Sequence, residues 1–366
     1  MRARLLALLS SGFIVWGGAC ATAQTFTREE FRIPMKGAGE MGLESLLIRP
    51  VEPGHYPLAL LSHGSPRQAA ERRLMTPMSL LPQALEFARR GWAALIVMRR
   101  GYGNSGGGWA ESYGSCANPD YRLAGLASAR DLLAALAYSA RLPYIDSHRA
   151  IAVGVSAGGF ATIALSAEQP NGLVAAINFA GGRGSSSPDE VCRPERLIDA
   201  FAAYGARSRI PTLWIYAAND HFFGPAIARK AKEAFEGAGG HAELTLAPAF
   251  GSDGHLLFSP AGIPVWTQYV DRFLDVQRLR LRSEPMEAPR SSLVAPEGLS
   301  PASRSAFAEY IIAAPHKAFA ASPTGAYGSR TARRTTEEAT AGALENCNRY
   351  SHEGCRIIAI DDMATQ

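Results

Sequence analysis

The sequence predicts an α/β fold in three layers, with a mostly parallel sheet at its centre and a small α+β module at the C-terminal end. Three observations carry this. Near-continuous apolar runs recur between residues 57 and 247, and runs that do not alternate with polar residues are strands buried on both faces. Stretches of helical spacing separate these runs, the pattern of strand–helix–strand crossovers. One run, Ala150–Val155, stops at Gly154-Val155-Ser156-Ala157-Gly158, a serine between glycines where a strand gives way to a helix.

At the N-terminus, Arg2 and Arg4 precede the apolar stretch Leu5–Trp16, and small residues follow up to Ala23. A charged start, a short apolar run and small residues predict a secretory signal over residues 1–23, and the run is too short to span a bilayer. Cys20 raises lipoprotein processing as an alternative. Thr25–Pro34 and Glu40–Pro50 read as two extended segments, an antiparallel hairpin at the sheet edge. Strands are predicted at Pro57–Ser62, Trp92–Met98, Ala150–Val155, Leu173–Phe179, Pro211–Ala217 and His241–Ala247. Helices are predicted at Met78–Arg90, Tyr121–Tyr138, Ala157–Glu168, Pro225–Glu236 and Val265–Leu279. Residues 104–120 and 181–200 read as long loops at the strand ends. The main domain is thus 24–280.

Residues 281–304 are rich in Pro, Ser and charge, which predicts a linker. Residues 305–366 read as a separate small module. It has a short helix near Ala306–Ala313, a turn at Ser322–Gly325 and a helix opening at Thr335–Glu338 that runs on through Ala339–Glu345. A strand at Cys355–Ile360 follows.

The 366 residues are 47% hydrophobic and 19% charged, enough for a large core. The formal net charge is only +4 and the basic residues are scattered, so nucleic acid is not an expected partner. After the signal no stretch is apolar enough for a membrane span. The eight histidines are dispersed without H-E-x-x-H or C-x-x-C, and the glycine-rich Gly101–Gly108 lacks the Lys-Ser/Thr of a phosphate loop, so neither metal nor cofactor is expected. Four cysteines follow the signal. An even count in an exported chain predicts two disulfides: Cys347 with Cys355, close in sequence, and Cys116 with Cys192. The latter would pin the two long loops together. The expected location is periplasmic or secreted.

A serine on a sharp strand–turn–helix elbow stands clear of the sheet at a helix N-terminus, where amide groups favour developing negative charge. It needs a base, and the base needs an orienting acid. Asp220 follows the strand at 211–217 and His255 follows the strand at 241–247, both at the carboxyl ends of strands, where open α/β sheets place their sites. Ser156, Asp220 and His255 are the predicted nucleophile, acid and base. His221 and Asp253 are their neighbours and compete with them; His221 reads as a rim residue and Asp253 as a turn former. The oxyanion donors are predicted to be the amides of Ala157, next to the nucleophile, and of Ser65, in the His63-Gly64-Ser65-Pro66 loop. Trp109, Tyr113, Phe222 and Phe223 are candidates to line a substrate pocket.

Val-Gly-x-Ser-x-Gly-Gly, the His-Gly pair at 63–64, and Arg-Arg-Gly-Tyr-Gly-Asn-Ser-Gly-Gly at 99–107 together resemble the α/β-hydrolase superfamily, in its dienelactone-hydrolase and prolyl-oligopeptidase-like group. The resemblance covers residues 40–280. It implies a hydrolase with a three-layer fold but says little about substrate, and the nucleophile is serine where dienelactone hydrolases proper use cysteine. Residues 316–360 are also similar to a small cysteine-containing bacterial module, which implies a role in binding, with an envelope ligand as candidate partner. The expected function is an exported serine hydrolase acting on a small-molecule ester. A small-peptide or amide hydrolase comes second, and a non-catalytic envelope-binding protein is the rival from another class.

Overall fold

The computed structural model describes residues 25–351 and 353–365. The predicted signal segment and Cys20 lie outside them. Eight strands make one sheet: β1 (Phe26–Met35), β2 (Gly39–Pro50), β3 (Tyr56–Ser62), β4 (Ala93–Val97), β5 (Ile145–Val155), β6 (Leu173–Phe179), β7 (Pro211–Ala217) and β8 (His241–Ala247). Their spatial order is β1-β2-β4-β3-β5-β6-β7-β8. The first two form the antiparallel hairpin at one edge, β2 also runs antiparallel to β4, and every other pairing is parallel.

Parallel pairing demands crossovers, and each crossover helix covers one face. Helices α2 (Tyr121–Ser139), α3 (Ala157–Glu168), α4 (Pro194–Gly205) and α5 (Pro225–Gly237) pack on one side through Leu132, Phe160, Phe201 and Phe235. Helices α1 (Leu81–Arg89) and α6 (Ile263–Val276) cover the other through Phe87, Trp266 and Phe273. Both faces are therefore dry across the central strands, whose apolar runs follow from that, while the edge strands β1 and β8 are partly exposed. Helix α4 falls partly inside the stretch 181–200, which the sequence predicts as loop. It opens with Pro194 and buries Leu197, Ala200, Phe201 and Tyr204. The rest of that stretch is a tight turn and a short hairpin, Ser185–Ser187 with Glu190–Val191.

The C-terminal part has its own core. Helix α7 (Pro301–Ile312) starts before the predicted position, capped by the Ser300 side chain, which accepts the Ser303 N–H. Strands β9 (Ala318–Ala321), β10 (Tyr327–Arg330), β11 (Arg356–Ile360) and β12 (Met363–Ala364) form a small antiparallel sheet in the order β10-β9-β11-β12. Strands β9 and β10 are absent from the sequence expectation. Ala318–Ala321 is Ala-Phe-Ala-Ala, without the β-branched residues that mark a strand. Helix α8 (Thr336–Asn348) begins at Thr335, whose hydroxyl accepts the Glu338 N–H, the capping pattern that made this helix legible. Phe307, Tyr310 and Phe319 form one small core and Ala339, Ala343 and Cys347 another.

This unit is docked on the main sheet. Arg334 forms an ion pair with Glu44 of β2 and donates to the Met75 carbonyl at 3.0 Å. The Thr76 hydroxyl donates to the Ala332 carbonyl at 2.8 Å, and Ala332 packs on the core beneath α1 and α6. The intervening segment is strapped to α1, where Arg89 donates to the Met286 carbonyl and Met286 N–H to that of Arg89.

Disulfides join Cys116 to Cys192 and Cys347 to Cys355. Bonds of this kind persist in oxidising compartments outside the cytoplasm. Among the described residues no helix is long and apolar enough to cross a membrane.

Candidate active site

Strand β5 ends at Val155, and α3 begins at Ala157. Ser156 makes the corner with φ 56° and ψ −123°, a left-handed conformation for a residue with a Cβ, which costs on the order of 1–3 kcal/mol. The corner closes only because its flanks are glycine. A Cβ on Gly154 would stand 2.2 Å from the Gly158 carbonyl oxygen, and one on Gly158 would stand 2.1 Å from that of Ser62. Ser156 N–H donates to the Phe179 carbonyl at 2.9 Å, and Gly182 N–H donates to the Ser156 carbonyl at 3.2 Å, so the elbow is held from β6.

Asp220 and His255 come from the ends of β7 and β8. Imidazole Nδ1 lies 3.1 Å from both carboxylate oxygens of Asp220. The Asp220 side chain is wholly buried and that of His255 nearly so. Backbone N–H groups of Phe222 (2.7 Å) and Phe223 (2.9 Å) donate to the same carboxylate. A carboxylate facing Nδ1 holds the proton there and leaves the lone pair on Nε2. Ser156 and His255 line one cleft of about 1220 Å³. Asn219 locks the two loops together by accepting the Phe250 N–H and donating to the Gly251 carbonyl.

The competitors go elsewhere. His221 faces Asp189 at 3.0 Å on the surface, and that hydrogen bond raises its pKa. Asp253 accepts the N–H groups of His255 (2.9 Å) and His221 (3.1 Å), shaping the turn that carries His255.

The loop after β3 lies against Ser156. A Cβ on Gly64 would stand 3.3 Å from Ser156 Cβ, so His63-Gly64-Ser65 passes directly over the serine. Ala157, as first residue of α3, has an N–H with no partner inside the helix. His63 is fully buried: its Nδ1 meets the Gly64 carbonyl at 2.6 Å and its Nε2 accepts the Arg99 N–H at 3.1 Å. Burial, with help from the Arg99 cation, pushes its pKa down to about 3, so the ring is neutral.

Beneath this loop lies a buried ionic cluster that sequence reasoning missed. Glu111 takes Arg99 Nε at 2.7 Å, Arg183 at 2.5 Å, and the hydroxyls of Tyr102 and Ser128. Arg99 also donates to the Ser62 hydroxyl (2.8 Å) and the His63 carbonyl (2.7 Å), and the Ser65 and Tyr102 hydroxyl oxygens lie 2.7 Å apart. Burial alone would raise the Glu111 carboxyl, but Arg183 and Arg99 override it and hold it well below the usual range. Two buried cations around one anion thus fix the backbone that carries Gly64 and Ser65. Nothing in a lone Glu within a glycine-rich loop announces this; Arg99 and Tyr102, inside the Arg-Arg-Gly-Tyr-Gly stretch, are the available signal.

The aromatic candidates separate. Phe222 lines the cleft. Phe223 is buried beneath it with its ring against Gly182. Trp109 donates to the Tyr102 hydroxyl at 3.0 Å and lies under the Arg72 guanidinium, and Tyr113 packs on Tyr121. Neither lines the cleft. The predicted loop around them is tied through Cys116 to Cys192, just before α4.

The family model for the prolyl oligopeptidase family matches residues 80–181, which include the elbow. Among solved structures, a Klebsiella pneumoniae protein assigned as a dienelactone hydrolase superposes with a TM-score of 0.50 at 17% identity, covering 68% of this chain and 99% of its own. The chain has the α/β-hydrolase fold. An acylaminoacyl peptidase of Pyrococcus horikoshii shares the hydrolase fold with a TM-score of 0.51 at 16% identity over 72% of this chain, but only 44% of the peptidase is matched. No curated protein matches the sequence. A serine hydrolase of the α/β class agrees with the fold and with the family match, whereas the choice between ester and amide does not come from either.

Proposed function

We propose that this α/β-hydrolase is an exported serine hydrolase that cleaves carboxylic esters, with small amides or peptides as the second substrate class. The observation that supports it most is the meeting in one cleft of a strained elbow serine and an imidazole whose far nitrogen faces a buried carboxylate. In this reading Ser156 Oγ attacks the carbonyl carbon and passes its proton to His255 Nε2. Asp220 stabilises the imidazolium and keeps its orientation. The amides of Ala157 and Ser65 receive the oxyanion. Collapse of the tetrahedral intermediate expels the alcohol, which takes the proton from His255 and leaves an acyl-serine. Water, deprotonated by His255, then attacks the acyl carbon, and collapse releases the acid and returns the proton to Ser156.

The ester comes first because an alkoxide leaves with less help from an acid than an amine does. Export fits the two disulfides and the N-terminal signal expected from the sequence. Steady-state hydrolysis of p-nitrophenyl butyrate beside alanine p-nitroanilide tests the ranking. A higher kcat/KM on the ester is expected, and a higher value on the anilide would promote the amide.

A further inference from the structure

The catalytic cleft does not end in the hydrolase domain. Its outer wall is built by the C-terminal module, through Arg330 of β10, Ala332, Arg333 and the face of α8 that carries Glu338, Gly342 and Glu345. The Arg334–Glu44 ion pair and the Thr76–Ala332 hydrogen bond hold this wall in place.

The charges that face the cleft are unevenly paired. Arg330 has no carboxylate within ion-pair distance among the described residues. Its stem lies across α8 in a groove that only a glycine leaves open, since a Cβ on Gly342 would stand 2.6 Å from Arg330 Cγ. Arg67, across the cleft, touches the Phe222 ring and the Ser185 hydroxyl and likewise has no acidic partner among the described residues. Arg333 reaches Glu338 only at 4.0 Å, and its buried Nε has no hydrogen-bond partner. On the acidic side, Glu345 is held by Arg349 and Glu338 accepts the Arg334 N–H at 3.2 Å. Glu71 is the one cleft carboxylate without a partner among the described residues.

We propose that the module is a substrate-selecting wall of the active site, and that Arg330, supported by Arg333, binds a carboxylate at the far end of the substrate. This rests on the serine-hydrolase reading for its chemistry, and it names the substrate class as esters or amides that carry a negative charge remote from the scissile carbonyl. A guanidinium presented on a rigid strand is suited to a carboxylate because it offers two parallel donors.

Two ester pairs test it and place the charge. 4-Nitrophenyl hydrogen adipate against 4-nitrophenyl hexanoate puts the carboxylate on the acyl side. 4-Butyryloxybenzoate against phenyl butyrate puts it on the leaving group. The expected result is a charge preference in kcat/KM within at least one pair. Arg330→Met lowers that preference by about fivefold to tenfold, the scale of one charge-assisted contact near solvent, and Arg330→Lys restores part of it. Gly342→Ala, which improves the helix propensity of α8 but drives the arginine stem aside, lowers it as well. A wild-type protein without charge preference in either pair, or a preference that Arg330→Met leaves unchanged, overturns the proposal. If turnover does not depend on Ser156, the hydrolase reading fails separately. Ligand-observed NMR with free adipate and dimethyl adipate on Ser156→Ala protein then decides the carboxylate site. Adipate binding that Arg330→Met abolishes supports it, and no adipate binding overturns it.

Discussion

The imidazole of His255 lies face to face with the ring of Phe222, centroids 4.0 Å apart and planes 14° from parallel. The Arg67 guanidinium sits 3.7 Å from the centroid of the same ring. The imidazole is therefore clamped twice, by Asp220 at its edge and by Phe222 on its face.

Phe222→Ala removes the second clamp. The Asp220 contact survives, so a base remains but its orientation loosens. A fall in kcat of about tenfold is expected, because small misplacements of a reacting group are costly. Thermal unfolding should shift little, since the ring is only half-buried. Unchanged kcat would mean that Asp220 alone orients the imidazole.

Asp220→Asn keeps the volume and the acceptor for the Phe222 and Phe223 N–H groups but removes the charge that holds the proton on Nδ1. A loss of about three to four orders of magnitude in kcat with a normal circular dichroism spectrum is expected. A loss below tenfold would point to another acid.

Glu111→Gln tests the cluster under the His63–Ser65 loop. It leaves Arg99 and Arg183 buried without an anion, and breaking a buried ion pair from one side costs about 3–5 kcal/mol. Urea unfolding should show a loss of unfolding free energy of that size. A change under about 1 kcal/mol, the range of a surface pair, would contradict the buried charge network.

His63 makes stability depend on pH. Its folded pKa of about 3 lies below the ordinary value of 6.5, so between those limits the unfolded chain binds the proton and the folded chain does not. The stability it contributes is complete above about pH 6.5 and is lost on acidification, with a slope of up to about 1.4 kcal/mol per pH unit. Glu111, also depressed, adds to the loss only below the ordinary carboxylate range. His221 works in the opposite sense, since its pKa is raised and its contribution fades as pH rises, but it lies on the surface and its effect is small. Urea midpoints at pH 7, 6 and 5 should fall in that order, and His63→Asn should flatten the trend. Equal midpoints in the wild type would contradict the neutral buried ring.

Much of this was legible because burial on both faces leaves a plain mark. Strands β6 and β7 have the ends that their apolar runs predict, β8 keeps its expected ends although it lies half-buried at the sheet edge, and α3 starts and stops where the elbow and Glu168 place it. Asp220 and His255 stood out because each follows such a strand in a short polar loop. What stayed hidden depends on contacts distant in sequence. Helix α4 lay in a stretch that opens with glycine and serine, β9 is mostly alanine, and Glu111 is notable only beside Arg183, brought to it by the turn after β6. The cleft wall was invisible for the same reason, because no local pattern says that β10 and α8 face Ser156.

The most direct test of the proposed chemistry is covalent labelling of the purified protein with a fluorophosphonate, mapped by peptide mass, beside p-nitrophenyl butyrate turnover by wild type and Ser156→Ala. Labelling confined to Ser156 and turnover reduced to background in the variant are predicted. An unlabelled Ser156, with equal rates in the two proteins, would contradict the assignment of this serine as nucleophile and leave the cleft as a binding site.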